Sequence, residues 1–594
     1  MVALLHWARS IALGTLNGIA KLTLAIVLIL AVLLVIGLAE GDGLPGNMVL
    51  SLDLRAPLKD SAPQTPLAFS DHPPAIMDIV LTLDQAGRDA RVKGVYLRVG
   101  SADMPVAQAE EIGAALKRFR ATGKFVIADS AGFLSNGLGD YLVATDADEI
   151  WMQPQSPFST SGAGAGAIFL RGLFDKFDAV PQIVKRSDYK SAADMFMEKD
   201  YTPADREQTT AFLQSWYDSA TAGVAADRHL DPKAVAAVFE KSPQFASDAK
   251  AAGLVDKIGY DDDARDAALG RAGDGAKVVS LHKYAHATEN AGEFAAGGSV
   301  ALIEASGEIV DGTAHGGGMF GNDDGIAGDD LAGAIRAATK DKDVKVILLR
   351  VDSPGGSVTA SDQILDAVKK AQAAGKPVVV SMGMLAASGG YYIASSADKI
   401  VAEPATLTGS IGVLTGKVSV GKTLGLAGVG ADEIGVGKNA LFDSDIQPYT
   451  PDQLANLNAQ ADAIYADFTQ KVATGRKLPL AQVQQIAKGR VWTGADAKPR
   501  GLVDQLGTFW TAAAIAQKLA GIAPGERLTF KRYPRPVGFF DVLNEAFSST
   551  TAGLRAMQGL ARITQAPVAR AAIEAIENTP RGGVELRATS LPGD

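Results

Sequence analysis

The stretch Ser381–Lys399 reads SMGMLAASGGYYIASSADK and follows the apolar run KPVVV. The apolar run is typical of a buried strand, and the alanine- and tyrosine-bearing residues after the glycine pair are typical of a helix. Ser388 is therefore expected near a strand-to-helix turn, directly before Gly389 and Gly390. The N–H groups at a helix start lie close to such a hydroxyl, as an acyl-transfer nucleophile requires. A serine nucleophile also needs a base, and this stretch does not contain one.

Four blocks of sequence recur in the same order, at an offset that falls only from 252 to 248 residues. This regularity predicts a tandem duplication with halves at 46–290 and 298–530. Each half alternates β-branched runs with helical patterns, which predicts an α/β fold with largely parallel strands. The matching blocks are Val92–Ser101 with Val344–Ser353, Ala121–Ser130 with Ala373–Met382, Ala147–Pro154 with Ala397–Pro404, and Asp248–Gly259 with Asp496–Gly507.

The run Leu22–Ala39 is 18 residues long and carries no charge, and Arg9 and Lys21 precede it. About 20 apolar residues cross a bilayer core, so the run predicts a single transmembrane anchor at 22–39. The preceding cations predict that residues 1–21 are cytoplasmic and that the body lies outside the cytoplasm. A cleaved signal peptide is the alternative, but the run exceeds the usual apolar core of about 7–15 residues. The extension 531–594 has no role that the sequence indicates.

Composition excludes several classes of function. The net charge is −10 and no long run of Lys and Arg occurs, which argues against nucleic acid as a partner. The chain has no cysteine, which excludes a cysteine nucleophile, thiolate zinc sites and redox motifs.

The two halves differ where chemistry is expected. The second half carries DSPGGSV at Asp352–Val358, and adjacent glycines can present backbone N–H groups to an oxyanion. The corresponding residues of the first half read GSADMPV and contain no glycine pair. Likewise, AASGG in the second half matches LSNGL at Leu134–Leu138 in the first. Only the second half therefore combines a candidate nucleophile with a candidate oxyanion loop.

The base is predicted to be a lysine. None of the six histidines lies in a strand-end motif of either half, so a Ser-His-Asp triad has no positive support. A buried lysine can serve instead, because burial without a counter-charge lowers its pKa by several units. Lys190 and Lys438 compete for this role, since each stands 11 residues before a Tyr-Thr-Pro sequence, at Tyr201 and Tyr449. Their equivalent positions leave the choice open.

The chain resembles the signal peptide peptidase A family, in its long, membrane-anchored bacterial form with two tandem repeats. The resemblance rests on DSPGGSV, MGMLAASGGYYIAS, LTGSIGV, DYKSAADMF and RVWTGADAKPRGLVDQLG, and it covers most of the chain up to about residue 530. It implies a fold like that of Clp protease and crotonase in each repeat. It also implies a serine endopeptidase of the Ser-Lys type that degrades signal peptides and other apolar peptides at the membrane.

The resemblance also implies roles for individual residues. Ser388 would be the nucleophile, and Lys190, from the other half, would be the general base. Ser410 in LTGSIG would orient the lysine. In short single-repeat relatives the lysine follows the serine by about fifty residues, and Lys438 stands 50 residues after Ser388, so Lys438 is the alternative base. The backbone donors of the oxyanion hole would be Gly355 or Gly356 together with Gly389.

By the same resemblance, the protein would be a homotetramer in the bacterial inner membrane with its catalytic body on the periplasmic side. No metal or other cofactor is implied. The sequence does not indicate the cleavage preference, or whether one protomer completes the dyad.

Three other functions have weaker support in the sequence. GKVSVGKT at Gly416–Thr423 fits the phosphate-binding loop pattern, but no hydrophobic strand leads into it. A crotonase-type acyl-CoA enzyme would share the fold and the oxyanion loop, yet an exported body has no access to cytoplasmic CoA. A non-catalytic membrane scaffold of the same fold would not need Ser388.

Overall fold

Parallel strands joined by helices make up both halves of the described chain. The structure is a computed structural model, and it describes residues 42–61, 75–134, 137–288, 299–313, 325–523, 526 and 528–534 of the 594-residue chain. These residues all belong to one compact unit. The predicted anchor at 22–39, the segment 289–298 between the halves and residues 535–594 of the predicted extension lie outside the described residues. Within the described ranges, no helix has the length and apolar character needed to cross a membrane.

The first half forms a sheet with the strand order β8-β4-β3-β2-β1-β9, in which all neighbours run parallel. Its strands are β1 (Met48–Asp53), β2 (Val92–Val99), β3 (Phe125–Ser130), β4 (Glu149–Met152), β5 (Pro157–Phe158), β6 (Val180–Lys185), β7 (Gln244–Phe245), β8 (Lys257–Ile258) and β9 (Lys277–Ser280). Its helices are α1 (Ile76–Arg88), α2 (Val106–Arg120), α3 (Leu138–Thr145), α4 (Arg171–Lys176), α5 (Asp194–Met197), α6 (Pro203–Arg228), α7 (Pro232–Phe239), α8 (Ala246–Ala251), α9 (Asp261–Ala272) and α10 (Leu281–Thr288).

The second half repeats this plan in a larger sheet with the order β18-β16-β14-β13-β10-β20, and β15 links β14 to β19. Its strands are β10 (Val300–Ser306), β11 (Glu308–Val310), β12 (Gly325–Ala327), β13 (Val346–Ser353), β14 (Val378–Ala387), β15 (Lys399–Ala402), β16 (Leu407–Gly409), β17 (Leu414–Ser419), β18 (Val491–Thr493), β19 (Gln505–Leu506) and β20 (Phe530–Tyr533). Its helices are α11 (Gly328–Lys340), α12 (Val358–Ala373), α13 (Gly389–Ala394), α14 (Gly421–Leu426), α15 (Pro451–Arg476), α16 (Leu480–Ile486), α17 (Gly494–Ala497) and α18 (Phe509–Leu519).

The central strands of the second sheet are buried on both faces, as expected for parallel strands with near-continuous apolar sequences. Alternate residues point to opposite faces of a strand. Leu302 and Leu348 therefore join a core that includes α1 and α2 of the first half. Ile303 and Leu349 join a separate core with α11 and α12. Because the first of these cores contains residues from both halves, the two repeats pack as one body.

A buried arginine also joins the halves. Arg350 on β13 donates hydrogen bonds to Asp60 at 2.7 Å and to Glu111 of α2 at 2.8 Å, and Glu403 lies 3.8 Å away. Burial and the neighbouring Glu111 raise the pKa of Glu403 well above its usual value. One cation thus faces carboxyl groups from both halves, in a site from which water is excluded.

Strands β6 and β17 form an antiparallel ribbon between the halves, with Lys185 opposite Leu414. Gly416 lies inside this ribbon, and a Cβ atom there would stand 2.3 Å from the carbonyl oxygen of Gln182. The start of the GKVSVGKT pattern is therefore a paired strand, which is not the open glycine loop that cradles phosphate. The pairing extends to the hydrogen bond from Arg186 N to Val413 O at 2.9 Å. The first-half residues that follow Arg186 therefore lie close to the second half.

Candidate active site

Ser388 lies at the sharp turn between β14 and α13. Its backbone has φ 54° and ψ −116°, a conformation that is strained for a residue with a side chain. Its N–H donates to Gly409 O and its carbonyl accepts from Tyr392 N, both at 2.9 Å, which holds the turn in place. Gly390 is required next to it, because a Cβ atom there would stand 2.7 Å from Ser353 O. The strand-to-helix turn expected from the sequence is present, and the serine side chain is partly exposed.

Lys190 of the first half is brought to Ser388 of the second. Its Nζ atom lies 2.9 Å from Ser388 Oγ, 3.0 Å from Ser410 Oγ and 3.1 Å from Ser410 O. Only 7% of the residue is exposed, and burial lowers the pKa of Lys190 to about 8. A substantial fraction of this amine is therefore neutral near pH 8, and it can accept a proton from a hydroxyl group.

Two glycines let Lys190 reach this position. A Cβ atom on Gly489 would stand 2.6 Å from Lys190 Cβ, and one on Gly412 would stand 3.2 Å from Lys190 Cδ. The backbone of the second half therefore passes directly against the lysine, which excludes water from its stem. No local sequence pattern marks these glycines, because the contacts they allow are between distant parts of the chain.

Ser410 follows β16 and has a positive φ of 48°. Its N–H donates to Arg490 O at 2.8 Å, which fixes the backbone while both its hydroxyl and its carbonyl face the Lys190 amine. These two oxygens, together with Ser388 Oγ, can orient the amine.

Lys438 lies elsewhere, on the surface. Its side chain is 78% exposed and forms an ion pair with Asp452 at 2.9 Å. Of the two candidate bases, the structure brings Lys190 and not Lys438 to Ser388.

The three glycines predicted to form an oxyanion hole meet beside Ser388. Gly355 and Gly356 have φ angles of 104° and 146°, and Gly389 begins α13. A Cβ atom on Gly355 would stand 2.6 Å from Gly389 N and 2.8 Å from Ser388 Cβ. The N–H of Gly355 donates to Ser353 Oγ at 3.2 Å, whereas the first N–H groups of a helix, such as that of Gly389, have no partner within the helix.

A narrow cavity of about 20 Å³ opens beside Ser388, roughly the space that one water molecule needs. Rings of Tyr392 and Phe468, whose centroids are 4.7 Å apart, form part of its wall together with Val358 and Ile464. The cavity therefore offers an apolar surface next to the candidate nucleophile. Among the described residues, no cluster of His, Asp and Glu is suited to holding a metal ion.

At the position equivalent to Ser388, the first half has a leucine. Tyr141 and Tyr391 each donate their hydroxyl to a buried backbone carbonyl after a similar interval of chain, 113 and 111 residues, which identifies them as equivalent positions. Three residues earlier stand Leu138 in the first half and Ser388 in the second. The structure therefore aligns Ser388 with Leu138. The sequence match of LSNGL with AASGG instead places Ser388 opposite Asn136, two residues earlier.

In the first half, a carboxylate occupies the space near the equivalent loop. Asp140 accepts the backbone N–H groups of Ala102 and Met104 at 3.4 and 3.3 Å. These residues belong to GSADMPV, the counterpart of DSPGGSV. In the first half, the carboxyl group of Asp140 therefore takes up the N–H groups of Ala102 and Met104.

Comparison with known proteins gives two matching families. The model of peptidase family S49 matches residues 118–273 and again 370–523, and a Clp protease model matches residues 324–406. The repeated match confirms the tandem duplication and the Clp-protease-like character of the repeats expected from the sequence.

Several named proteins are similar to most of the chain. "Protease 4" of Salmonella typhi is 34% identical over 520 residues, which cover 84% of this chain and 80% of the relative. "Serine protease SPPA, chloroplastic" of Arabidopsis thaliana is 31% identical over 484 residues, 80% of this chain and 70% of the relative. "Protease 4" of Haemophilus influenzae is 30% identical over 462 residues, 74% of this chain and 72% of the relative.

Proposed function

Because the chain belongs to peptidase family S49 and is a serine peptidase, we propose that Ser388 is its nucleophile and Lys190 its general base. The observation that carries this proposal is the 2.9 Å separation of Lys190 Nζ from Ser388 Oγ, inside the range in which a base can take a proton directly. The lowered pKa of Lys190, about 8, supports the same assignment. The exposed position of Lys438 argues against it as the base.

In the proposed reaction, the neutral amine of Lys190 takes the proton of Ser388 as its Oγ attacks the scissile carbonyl carbon. The carbonyl π bond breaks, and its electron pair becomes the oxyanion of the tetrahedral intermediate. The lysine ammonium then protonates the leaving amine as the peptide bond breaks and an ester to Ser388 forms. Water, deprotonated by the same amine, hydrolyses the ester and restores both groups.

The oxyanion is proposed to be held by the N–H groups of Gly356 and Gly389. Gly355 N–H is a weaker candidate, since it already donates to Ser353 Oγ. Gly355 instead provides room, because its missing side chain lets the loop approach Ser388 closely. A backbone donor of this kind typically contributes about 3–4 kcal/mol to the transition state.

Ser410 is proposed to orient the amine. Its two oxygens accept hydrogen bonds from Lys190 Nζ. The third contact of the amine is with Ser388 Oγ. A lysine amine otherwise rotates freely about its last bond, so this pair of contacts would select the rotamer that is ready to react.

The substrates are proposed to be signal peptides and other extended apolar peptides, and the apolar side chains of Val358, Ile464 and Phe468 near Ser388 support this proposal. Residues 22–39 are proposed to anchor the chain in the bacterial inner membrane, with the repeats, at 46–290 and 298–530, on the periplasmic side as parts of a homotetramer. The supports for the anchor are the 18 uncharged residues and the cations before them.

The experiment uses the full chain in detergent, with an intramembrane-type apolar peptide carrying a fluorophore and a quencher. We expect that Ser388→Ala abolishes turnover and leaves the melting temperature unchanged within a few degrees. Retained turnover in Ser388→Ala would contradict the proposal. The anchor is tested separately by alkaline extraction of membranes, from which a chain anchored by residues 22–39 is not released.

A further inference from the structure

Gln208 on α6 contacts both residues that flank Lys190. Its Nε2 atom lies 3.1 Å from Tyr189 O and 2.9 Å from Ser191 Oγ, and it also lies 3.0 Å from Asp205 Oδ1. Gln208 itself is 3% exposed. A single buried amide therefore holds the loop on either side of the candidate base.

The other end of the same amide reaches the second half. Gln208 Oε1 accepts the N–H of Val491 at 3.3 Å. Val491 begins β18, which pairs with β16 directly before Ser410, and Arg490 O accepts the Ser410 N–H. One side chain thus connects the loop that carries Lys190 to the strand pair that holds Ser410.

The duplication provides an internal comparison. Gln208 stands seven residues after Tyr201, and Asn456 stands seven residues after Tyr449, so the two positions are equivalent. Asn456 is exposed, and so is Lys438, the counterpart of Lys190. The buried glutamine and the buried lysine occur in the same repeat, whereas the other repeat has neither.

We propose that Gln208 is a positioning residue of the peptidase, which holds the loop around Lys190 against β18. We call this set of contacts the Gln208 clamp. It shields the Lys190 amine from water and directs it towards Ser388. The proposal deepens the proposed function and rests on the role assigned there to Lys190. Without the amide, Ser191 Oγ loses its Gln208 donor and Tyr189 O keeps the Ser191 N–H at 2.9 Å, so water takes the place of the missing donor. Water beside Lys190 stabilises its ammonium form, and the pKa of the amine rises towards its ordinary value.

The test compares Gln208→Met with the wild-type full chain over pH 6–10. Methionine has a similar length but cannot donate or accept these hydrogen bonds. We expect kcat/KM at pH 7 to fall by roughly tenfold for each unit by which the Lys190 pKa rises. The deficit shrinks as the pH increases, the midpoint of the pH profile moves upward, and KM stays close to that of the wild type.

Gln108→Met is the matched control. Gln108 is also a buried helical glutamine, and its amide donates to Leu58 O at 3.4 Å, outside the site. We expect this variant to keep the wild-type midpoint. A shift of equal size in both variants would show a general loss of packing and would overturn the proposal.

The outcomes distinguish a failure of the Gln208 proposal from a failure of the proposed function. If the wild type shows no turnover that depends on Ser388 and Lys190, the proposed function fails. If that turnover is present and Gln208→Met keeps the wild-type midpoint, only the clamp fails. If Gln208→Met does not fold, Ser191→Ala is used instead, because it removes one acceptor of the same amide. We expect it to raise the midpoint of the pH profile by less than the loss of Gln208 would. An unchanged midpoint in Ser191→Ala would then reject the clamp.

Discussion

Lys190 and Lys438 occupy equivalent positions in the two repeats, yet Lys190 is 7% exposed and the side chain of Lys438 is 78% exposed. The difference arises from what each lysine meets. Lys190 is covered by backbone of the second half at Gly412 and Gly489, while Lys438 pairs with Asp452 in solvent. Duplication has thus produced two copies of one lysine position, of which only the copy at Lys190 is buried.

This contrast predicts opposite results for two alanine variants. Lys190→Ala is expected to lower kcat by about 10²–10⁴-fold, the usual contribution of a general base. Lys438→Ala is expected to keep wild-type turnover, because it loses only an exposed ion pair. Turnover of the fluorogenic peptide, with melting temperatures to verify folding, checks both. Loss of activity in Lys438→Ala alone would reverse the assignment of the base.

Activity should depend on pH through the Lys190 amine. The base must be neutral to take the serine proton, so kcat/KM is expected to rise with pH and level off above the Lys190 pKa of about 8. A profile measured from pH 5.5 to pH 10 gives the midpoint. A midpoint near 6.5, the ordinary pKa of histidine, would exclude Lys190 as the base.

Burial of Lys190 should lower the free energy of unfolding. Its pKa is about 8 in the folded chain and 10.5 as a free side chain, so the unfolded chain binds more protons between these pH values. The free energy of unfolding therefore rises with pH through that window, and below pH 8 the full cost, about 3 kcal/mol at most, is present. Lys190→Met removes it and should raise the melting temperature at pH 7. The gain should diminish towards pH 10.5, and a lower melting temperature at pH 7 would contradict this account.

The glycine loop beside Ser388 should be intolerant of a side chain. Gly355→Ala places a Cβ atom 2.6 Å from Gly389 N, so the loop must move and turnover should fall by about 10²-fold or more. Gly375→Ala is the control, since Gly375 also has a positive φ of 80° but meets nothing within 4 Å. That variant should lose about 1–2 kcal/mol of stability and keep its activity. Equal activity of Gly355→Ala and Gly375→Ala would show that the glycine loop has no role in catalysis.

The arginine between the halves should be indispensable for stability. Arg350→Met leaves buried carboxyl groups without their cation and should cost about 3–5 kcal/mol. Arg55→Met breaks an exposed pair with Asp53 and should cost less than about 1 kcal/mol. Thermal unfolding of both variants measures the difference. A small effect of Arg350→Met would mean that the other contacts between the halves hold them together without this arginine.

The parts of the site that local sequence determines could be predicted. The strand before Ser388 and the helix after it follow from an apolar run and a glycine pair, and the α/β repeats follow from blocks that recur along the chain. The choice between Lys190 and Lys438 could not be predicted from spacing, because both lysines have the same distance to their tyrosines. It depends on the ribbon of β6 and β17, whose strands are far apart in sequence.

Other features depend on contacts that leave no local pattern. Gln208 is one polar residue among many on a long helix, and only its distances to Tyr189, Ser191 and Val491 distinguish it. The hydrogen bond from Gly355 to Ser353 Oγ is likewise invisible in a motif that contains two adjacent glycines. Comparison of Gln208 with the equivalent Asn456 could have drawn attention to that position, once the repeats were aligned through their Tyr-Thr-Pro sequences.

Lys190 and Ser388 are separated by 198 residues and belong to different halves. A ribosome that has completed the first half has made the amine without the hydroxyl, and an isolated second half would have the hydroxyl without the amine. Under the proposed assignment, the growing polypeptide therefore lacks a complete dyad while it is being made. Peptidase chemistry by the proposed dyad begins only after both halves have been made and have closed on each other.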